Sequence, residues 1–298
     1  MLWILGVVLY LLLMATAFFG YTLQWGQMSY WAATVITSLF AAFDQLGTHL
    51  GSALSNWVRG DYAVGDATLG RFFSLHYLLP FVVVGLATLH VWALHAVGNN
   101  NPTGVAVKSA ADTVPFHPRY TVKDGFFLVL FVAVLLGLVF YAPDFFANPD
   151  NAAPANPLVT PAEIKPEWYL LPYYAMLRAV PNMVVGVLVL FGALLTPLFL
   201  PWLDASKVRS CRYRPLMRQL FWLLVADCLL LGIVGAESID AAWRIGEFRM
   251  PLVWLARLGT GYYFAFFWVL MPWIGRIEVT RPVPESLSQS VPAGGGQS

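Results

Sequence analysis

Charge is what this 298-residue chain has least of: Asp, Glu, Lys and Arg make up 11% of it, where soluble domains carry about 25%. With 59% hydrophobic and 15% aromatic residues and a mean hydropathy of +0.67, the composition argues against a water-soluble fold. The formal net charge of +1 leaves no basic field with which to hold nucleic acid. Cysteine is nearly absent as well. The two that occur, Cys211 and Cys228, fit no CxxC, CxxCH or zinc spacing, which argues against covalent c-type haem, iron-sulfur clusters and a disulfide framework.

What the sequence does have is long apolar runs, at 2–23, 72–97, 124–141, 183–202, 220–235 and 251–274. Each is long enough to cross about 30 Å of hydrocarbon. The expected fold class is therefore an all-α integral membrane protein of about six transmembrane helices. The first run has no basic n-region and no small-residue cleavage site, so it is expected to remain in the mature protein rather than act as a signal peptide.

Six crossings place the connections 98–123 and 203–219 and the C-terminus on one face. That face holds ten of the 17 Lys and Arg residues, Lys207, Arg209, Arg212, Arg214 and Arg218 among them. The positive-inside rule predicts that it faces the cytoplasm. Opposite lie two long loops. Residues 24–71 show helical apolar spacing (Trp31, Val35, Leu39, Phe43), and 141–181 is rich in Pro and Asn, so amphipathic interfacial helices and ordered loops are expected there. The expected organisation is a helical bundle with its amphipathic loop at 1–97, a second helical region at 98–281, and a Pro/Gly/Ser-rich disordered tail at 282–298.

Two of the five histidines, His76 and His90, fall within one apolar run and are 14 residues apart. That is about 21 Å of helix rise and nearly four turns, so both lie on one face. An imidazole in the membrane needs a partner, which either the iron of a haem or a neighbouring helix can supply. In the first run Gly6 and Gly20 are also 14 residues apart and leave two bare backbone patches at matching depths. Small residues also serve helix packing. The coincidence of the two spacings favours haem.

The stretches GYTLQWGQMSYWAATVIT, DATLGRFFSLHYLLPF, HAVGNNNPTG, PANPLVTPAEIKPEWYLLPYYAMLRAVP and PWLDASKVRSCRYRPLMRQ together closely resemble cytochrome b of the ubiquinol:cytochrome c oxidoreductase (respiratory complex III), bacterial type. The resemblance reaches to about Glu278. It implies that His76 ligates the outer, low-potential haem b and His90 the inner, high-potential one, with Gly6 and Gly20 as haem-contacting glycines. Arg71 is implied near a haem propionate, where a snorkelling interfacial arginine is the alternative. The resemblance further implies an outer site for ubiquinol built from Tyr21, Met28 and Ala32 with Pro166, Glu167, Tyr169 and Tyr174. There Glu167, its pKa raised by desolvation, suits proton acceptance. An inner ubiquinone site is implied at His95, Asn100, Lys123 and Asp124, a cluster able to deliver protons. Asp124 also suits the start of its own helix. His49 and His117 match no role.

The activity implied is bifurcated quinol oxidation coupled to proton translocation. It would take place within a dimeric complex in the bacterial plasma membrane, with a Rieske-type iron-sulfur protein and cytochrome c1 as partners. Members of the family carry eight spans, and each haem takes its second histidine from a span that would precede residue 1. A misassigned start, a split gene whose partner brings the missing N-terminal segment, and a truncated relic would each account for this, the first being favoured. Further departures are Gln24 in place of a helix-breaking Pro, which predicts a longer first span; Arg119 in place of an aromatic; and Ala32 in place of a glycine. A haem-free structural or assembly subunit is the rival reading. A transporter is disfavoured because the spans show no inverted repeat.

Overall fold

The computed structural model describes residues 1–98, 101, 103–238 and 240–287. The helices are α1 (Leu2–Leu23), α2 (Gln27–Ser38), α3 (Leu50–Arg59), α4 (Asp66–Val97), α5 (Thr121–Tyr141), α6 (Leu171–Ala179), α7 (Met183–Leu195), α8 (Leu200–Leu203), α9 (Pro215–Ala236), α10 (Leu252–Ala265) and α11 (Met271–Ile277). A hairpin, β1 (Ala242–Ile245) and β2 (Phe248–Pro251), joins α9 to α10, its strands paired antiparallel.

Among the described residues, five helical stretches are long and apolar enough to cross a membrane: Leu2–Leu23, Asp66–Val97, Phe116–Tyr141, Met183–Leu203 and Pro215–Ala236. The chain is a multi-pass membrane protein. The expected sixth run is helical too, but a π-turn at Phe266–Leu270 divides it into α10 and α11. Hydrocarbon offers no partner for free peptide groups, which is why long apolar runs close their hydrogen bonds within one helix.

The chain forms two compact units, one of 1–99, 150–207 and 216–278, the other of 100–149, 208–215 and 279–298. In the second, α5 has no buried residue, Arg214 is buried, and the Arg281 N–H donates to the Tyr213 carbonyl at 2.8 Å. The expected tail lies mostly outside the described residues, which end at 287.

The first unit holds the loop 24–71 and residues 150–181 of the other long loop, and its helix ends follow local chemistry. Asp66 in the first turn of α4 suits the helix dipole, and the Gly65 N–H donates to Thr68 Oγ1. Gly60 ends α3 at φ +81 and Gly98 ends α4 at φ +83, a region that glycine enters without a Cβ penalty. The Asn182 side chain caps α7 by accepting from the Val185 N–H at 3.0 Å. As expected, residues 24–71 form short helices, α2 and α3, joined by a 3-10 stretch at Leu39–Leu46. That stretch packs through Leu39 and Ala42 on Val184 and Val187 of α7.

The longer first span expected from Gln24 does not form. The helix ends at Leu23, and Trp25 takes φ 53. Gln24 turns outward instead, its side-chain oxygen accepting from the Asn151 amide. This is one stitch of a seam between residues 24–31 and 151–159. Gln27 N–H donates to Ala153 O at 2.9 Å and Ala155 N–H to Trp25 O at 3.0 Å, while Asn151 Oδ1 accepts from the Ser29 N–H at 2.8 Å.

At the middle of the seam, Gly26 lies so close to the Asn151 backbone that a Cβ there would overlap its carbonyl. Gly26→Ala must push the two strands of the seam apart. It is expected to cost about 1–3 kcal/mol of stability and to open 151–159 to protease. Thermal inactivation and limited proteolysis of the membrane-embedded protein test this: an unchanged midpoint with unchanged cleavage contradicts the close approach.

Candidate functional site

Helices α1 and α4 run side by side, and the two glycines of α1 meet two of the three histidines of α4, His90 and His76. A Cβ at Gly6 would lie 3.3 Å from His90 Cε1, and one at Gly20 would overlap the His76 ring. The bare patches expected for a ligand are thus where the imidazoles themselves rest. Removing the Cβ exposes the helix carbonyl one turn earlier, and His76 uses it, with Nδ1 2.8 Å from the Thr16 oxygen. A carbonyl only accepts, so Nδ1 carries the proton and Nε2 keeps its free lone pair. At the other level, His90 Nδ1 is buried with no hydrogen-bond partner. Among the described residues, no three His, Cys, Asp or Glu side chains gather to hold a metal ion by themselves.

Arg71, in the second turn of α4, points its guanidinium at the Trp57 carbonyl, across the space left by Gly60. Phe72 beside it is buried against Phe18 and Phe19 of α1, with ring centroids 5.6 and 4.7 Å away. Aromatic packing therefore seats this end of α4.

Next to α1, under the long loops, lies an apolar cavity of about 430 Å³. Its walls come from α1, α2, the 3-10 stretch Leu39–Leu46, α3, α6, α7 and the segment before α6, and its only polar lining side chains among the described residues are Thr37, Tyr173 and Tyr174. Of the residues expected at the outer site, Ala32, Pro166 and Tyr174 line this cavity. Met28 does not; it is buried in α2 with 1% of its surface exposed.

Tyr21, Glu167 and Tyr169 are not among the lining residues, but they lie within electrostatic reach of one another. Burial raises the Glu167 pKa above its ordinary value. Burial first, and the Glu167 charge second, push Tyr169 up to about 12, and its hydroxyl is buried without a partner. A carboxyl that readily holds a proton thus stands beside an unpaired phenol at the edge of an apolar cavity.

The residues expected at the inner site belong to separate elements of the chain. His95 is exposed in the last turn of α4; Lys123 and Asp124 are exposed in the first turn of α5. Asn100 lies outside the described residues. His49 precedes α3, and His117 Nδ1 is 2.9 Å from Thr121 Oγ1.

Sequence reading missed most of the cavity wall. Leu11, Met14, Ala15 and Phe18 of α1 face it at spacings of three and four. In a helix apolar all round, that stripe looks the same as a lipid-facing one. It also missed Arg59, which holds α3 on α2 by donating to Thr37 Oγ1 at 2.7 Å and Ser38 Oγ at 2.6 Å.

A family model described as Cytochrome b(N-terminal)/b6/petB matches residues 1–149, and one described as Cytochrome b(C-terminal)/b6/petD matches 154–264. Cytochrome b of Rhodospirillum rubrum is 51% identical over 290 residues, which is 97% of this chain and 68% of that protein. Cytochrome b of Rickettsia bellii is 50% identical over 287 residues, 96% of this chain and 68% of that one. Cytochrome b/c1 of Bradyrhizobium diazoefficiens is 51% identical over 99% of this chain, which spans only 41% of its length. Among solved structures, a chain of a hyperthermophilic respiratory Complex III superposes with a TM-score of 0.84 at 35% identity, covering 93% of this chain and 70% of that chain.

The buried Glu167 has a consequence for stability. Its pKa in the folded protein is raised above the unfolded value, near 4.5. Folding therefore favours the protonated form, and its contribution is greatest at low pH and is lost as pH rises through the raised value. Glu167→Gln is expected to flatten the decline in thermal stability as pH rises above about 4.5. Parallel pH profiles for the two proteins would show that the carboxyl is not held neutral by burial.

Proposed function

This chain belongs to the cytochrome b family, and from that premise we propose that it carries electrons from quinol, oxidised at the outer face, across the membrane to quinone reduced at the inner face, with b-type haem held at His76 and His90. One observation carries the reading: two imidazoles in register along α4, each seated on a glycine of α1, one oriented by the Thr16 carbonyl and the other with a buried, unpartnered nitrogen. A haem-ligating histidine is normally oriented through its second nitrogen by a carbonyl or carboxylate, and His76 already has such a partner. Haem b, when bound, supplies reversible one-electron chemistry.

The remaining chemistry falls to the chain's own groups. The apolar cavity suits a quinol ring and excludes water from it. Oxidising a quinol releases two electrons and two protons. Glu167, its carboxyl already biased toward the protonated form, is the proposed proton acceptor, with Tyr169 and Tyr21 beside it to hydrogen-bond the head group. One electron leaves to a Rieske-type iron-sulfur protein docked on the long loops, and the other moves inward. At the inner face His95, Asn100, Lys123 and Asp124 are proposed to bind quinone and supply the protons that its reduction consumes.

In this reading the residues 24–71 and 141–181 face the periplasm of a bacterial plasma membrane. Cytochrome c1 and a second copy of the assembly complete the dimeric complex, and the net result is proton translocation.

Two variants test the central assignments in the assembled complex. Glu167→Gln is expected to slow quinol oxidation about a hundredfold, the usual range for a lost acid–base group, with the reduced-minus-oxidised haem spectrum unaltered. His90→Leu is expected to remove one b-type component from that spectrum. Normal turnover in the first, or a full spectrum in the second, removes the residue from its proposed role.

Ala32, which lines the cavity and is 4% exposed, places a methyl where the family resemblance implies a glycine. A rigid ligand pressed against it loses roughly 1–3 kcal/mol, or about ten- to hundredfold in affinity. Ala32→Gly is therefore expected to raise sensitivity to rigid methoxyacrylate-type inhibitors by that factor. Superimposable inhibition curves would rule out the steric account.

A further inference from the structure

Tyr174 forms part of the cavity wall and is held from two sides. Its hydroxyl donates to the Ile164 carbonyl at 3.2 Å, and Ile164 is itself a lining residue. On the other side, the Arg178 guanidinium lies over the ring, 4.3 Å from its centroid. Arg178 belongs to the same helix one turn on, but it is not a lining residue of the cavity.

The arginine is fixed elsewhere. Nη1 donates to the Glu237 carbonyl at 3.0 Å, and Nη2 to those of Val234 and Gly235 at 3.1 Å each. These carbonyls lie at the end of α9, where the last four of a helix lack internal partners and the dipole favours a cation. Gly235 brings that end of α9 so close to the Leu171 backbone, at the start of α6, that no Cβ would fit. One planar group therefore caps α9 and backs the aromatic ring that faces the cavity.

We propose that Arg178 is a positioning residue for the outer cavity, acting through Tyr174: it ties the ring to the end of α9 and so sets how tightly the cavity holds a quinol. The proposal rests on the reading of this cavity as the quinol-oxidising site. It requires arginine specifically. The flat guanidinium reaches three carbonyls and stacks on the ring at once, whereas a lysine ammonium is a point charge that can serve the carbonyls but cannot also cover the ring.

The test is a double-variant cycle on the assembled complex in native membranes, with a short-chain ubiquinol as substrate and the haem spectrum as the measure of assembly. Arg178→Lys, which retains the charge at the end of α9, is expected to raise KM roughly three- to thirtyfold, the span of a lost cation–π contact, with a smaller change in kcat. In a Tyr174→Leu background the same substitution is expected to add little, because the ring through which it acts is gone.

An unchanged KM for Arg178→Lys overturns the proposal. So does an equal effect in both backgrounds, which would mean that Arg178 only supports the fold. Failure of Arg178→Lys to assemble, with Tyr174→Leu assembling normally, overturns it for the same reason. If the unmutated complex does not oxidise quinol at all, the reading of the cavity fails first, and that result is distinct from each of these.

Discussion

The arrangement depends on how closely α1 can approach α4. Two glycines spaced 14 residues apart remove the Cβ atoms that would hold the helices apart, and His90 and His76 enter the space. Nothing larger than glycine satisfies both contacts, because a side chain at position 20 would overlap the imidazole. Once α1 is placed, its neighbouring stripe of Leu11, Met14, Ala15 and Phe18 becomes a wall of the apolar cavity. One helix thus serves the proposed electron path on one face and the proposed quinol site on another.

The loops are ordered by polar stitching rather than by a large core. Residues 24–31 and 151–159 exchange backbone and amide hydrogen bonds, Arg59 ties α3 to α2, and Arg178 ties α6 to α9. Arg59 donates to carbonyls and hydroxyls, and Arg178 donates to carbonyls through Nη1 and Nη2 while its Nε is buried without a partner. This suits an apolar surrounding, where a cation spread over several neutral acceptors needs no buried carboxylate to balance it. The same loops leave Glu167 and Tyr169 half-buried, and burial is the leading cause of the raised pKa of both.

Much of the candidate site's geometry was legible because the chemistry proposed for it would leave local marks. The spacings of His76 with His90 and of Gly6 with Gly20 needed only helix geometry, and both pairs meet in space. The grouping of Glu167 and Tyr169 with Tyr21 was implied by the family resemblance of two separate stretches, and the three lie within electrostatic reach of one another. Other features were not legible. Gln24 lacks proline's power to end a helix, yet α1 stops at Leu23 because Trp25 takes a left-handed backbone and the seam to Asn151 holds it there. Nothing near residue 24 in the chain announces a partner 127 positions away.

The sequence by itself determined the class of the protein, its apolar spans, the face of α4 that bears the imidazoles, and the family to which it belongs. The first three depend on composition or on the regular rise and turn of a helix, and the last on the motifs the chain carries, all of which are local to a stretch of chain. Tertiary structure alone decided that the sixth run is divided by a π-turn, that Met28 is buried away from the cavity while Ala32 lines it, and that Arg178 reaches the end of α9. In helices apolar on every side, periodicity cannot distinguish a face turned to lipid from one turned to a cavity or a neighbour. That distinction comes only from which helices touch, and at what distance.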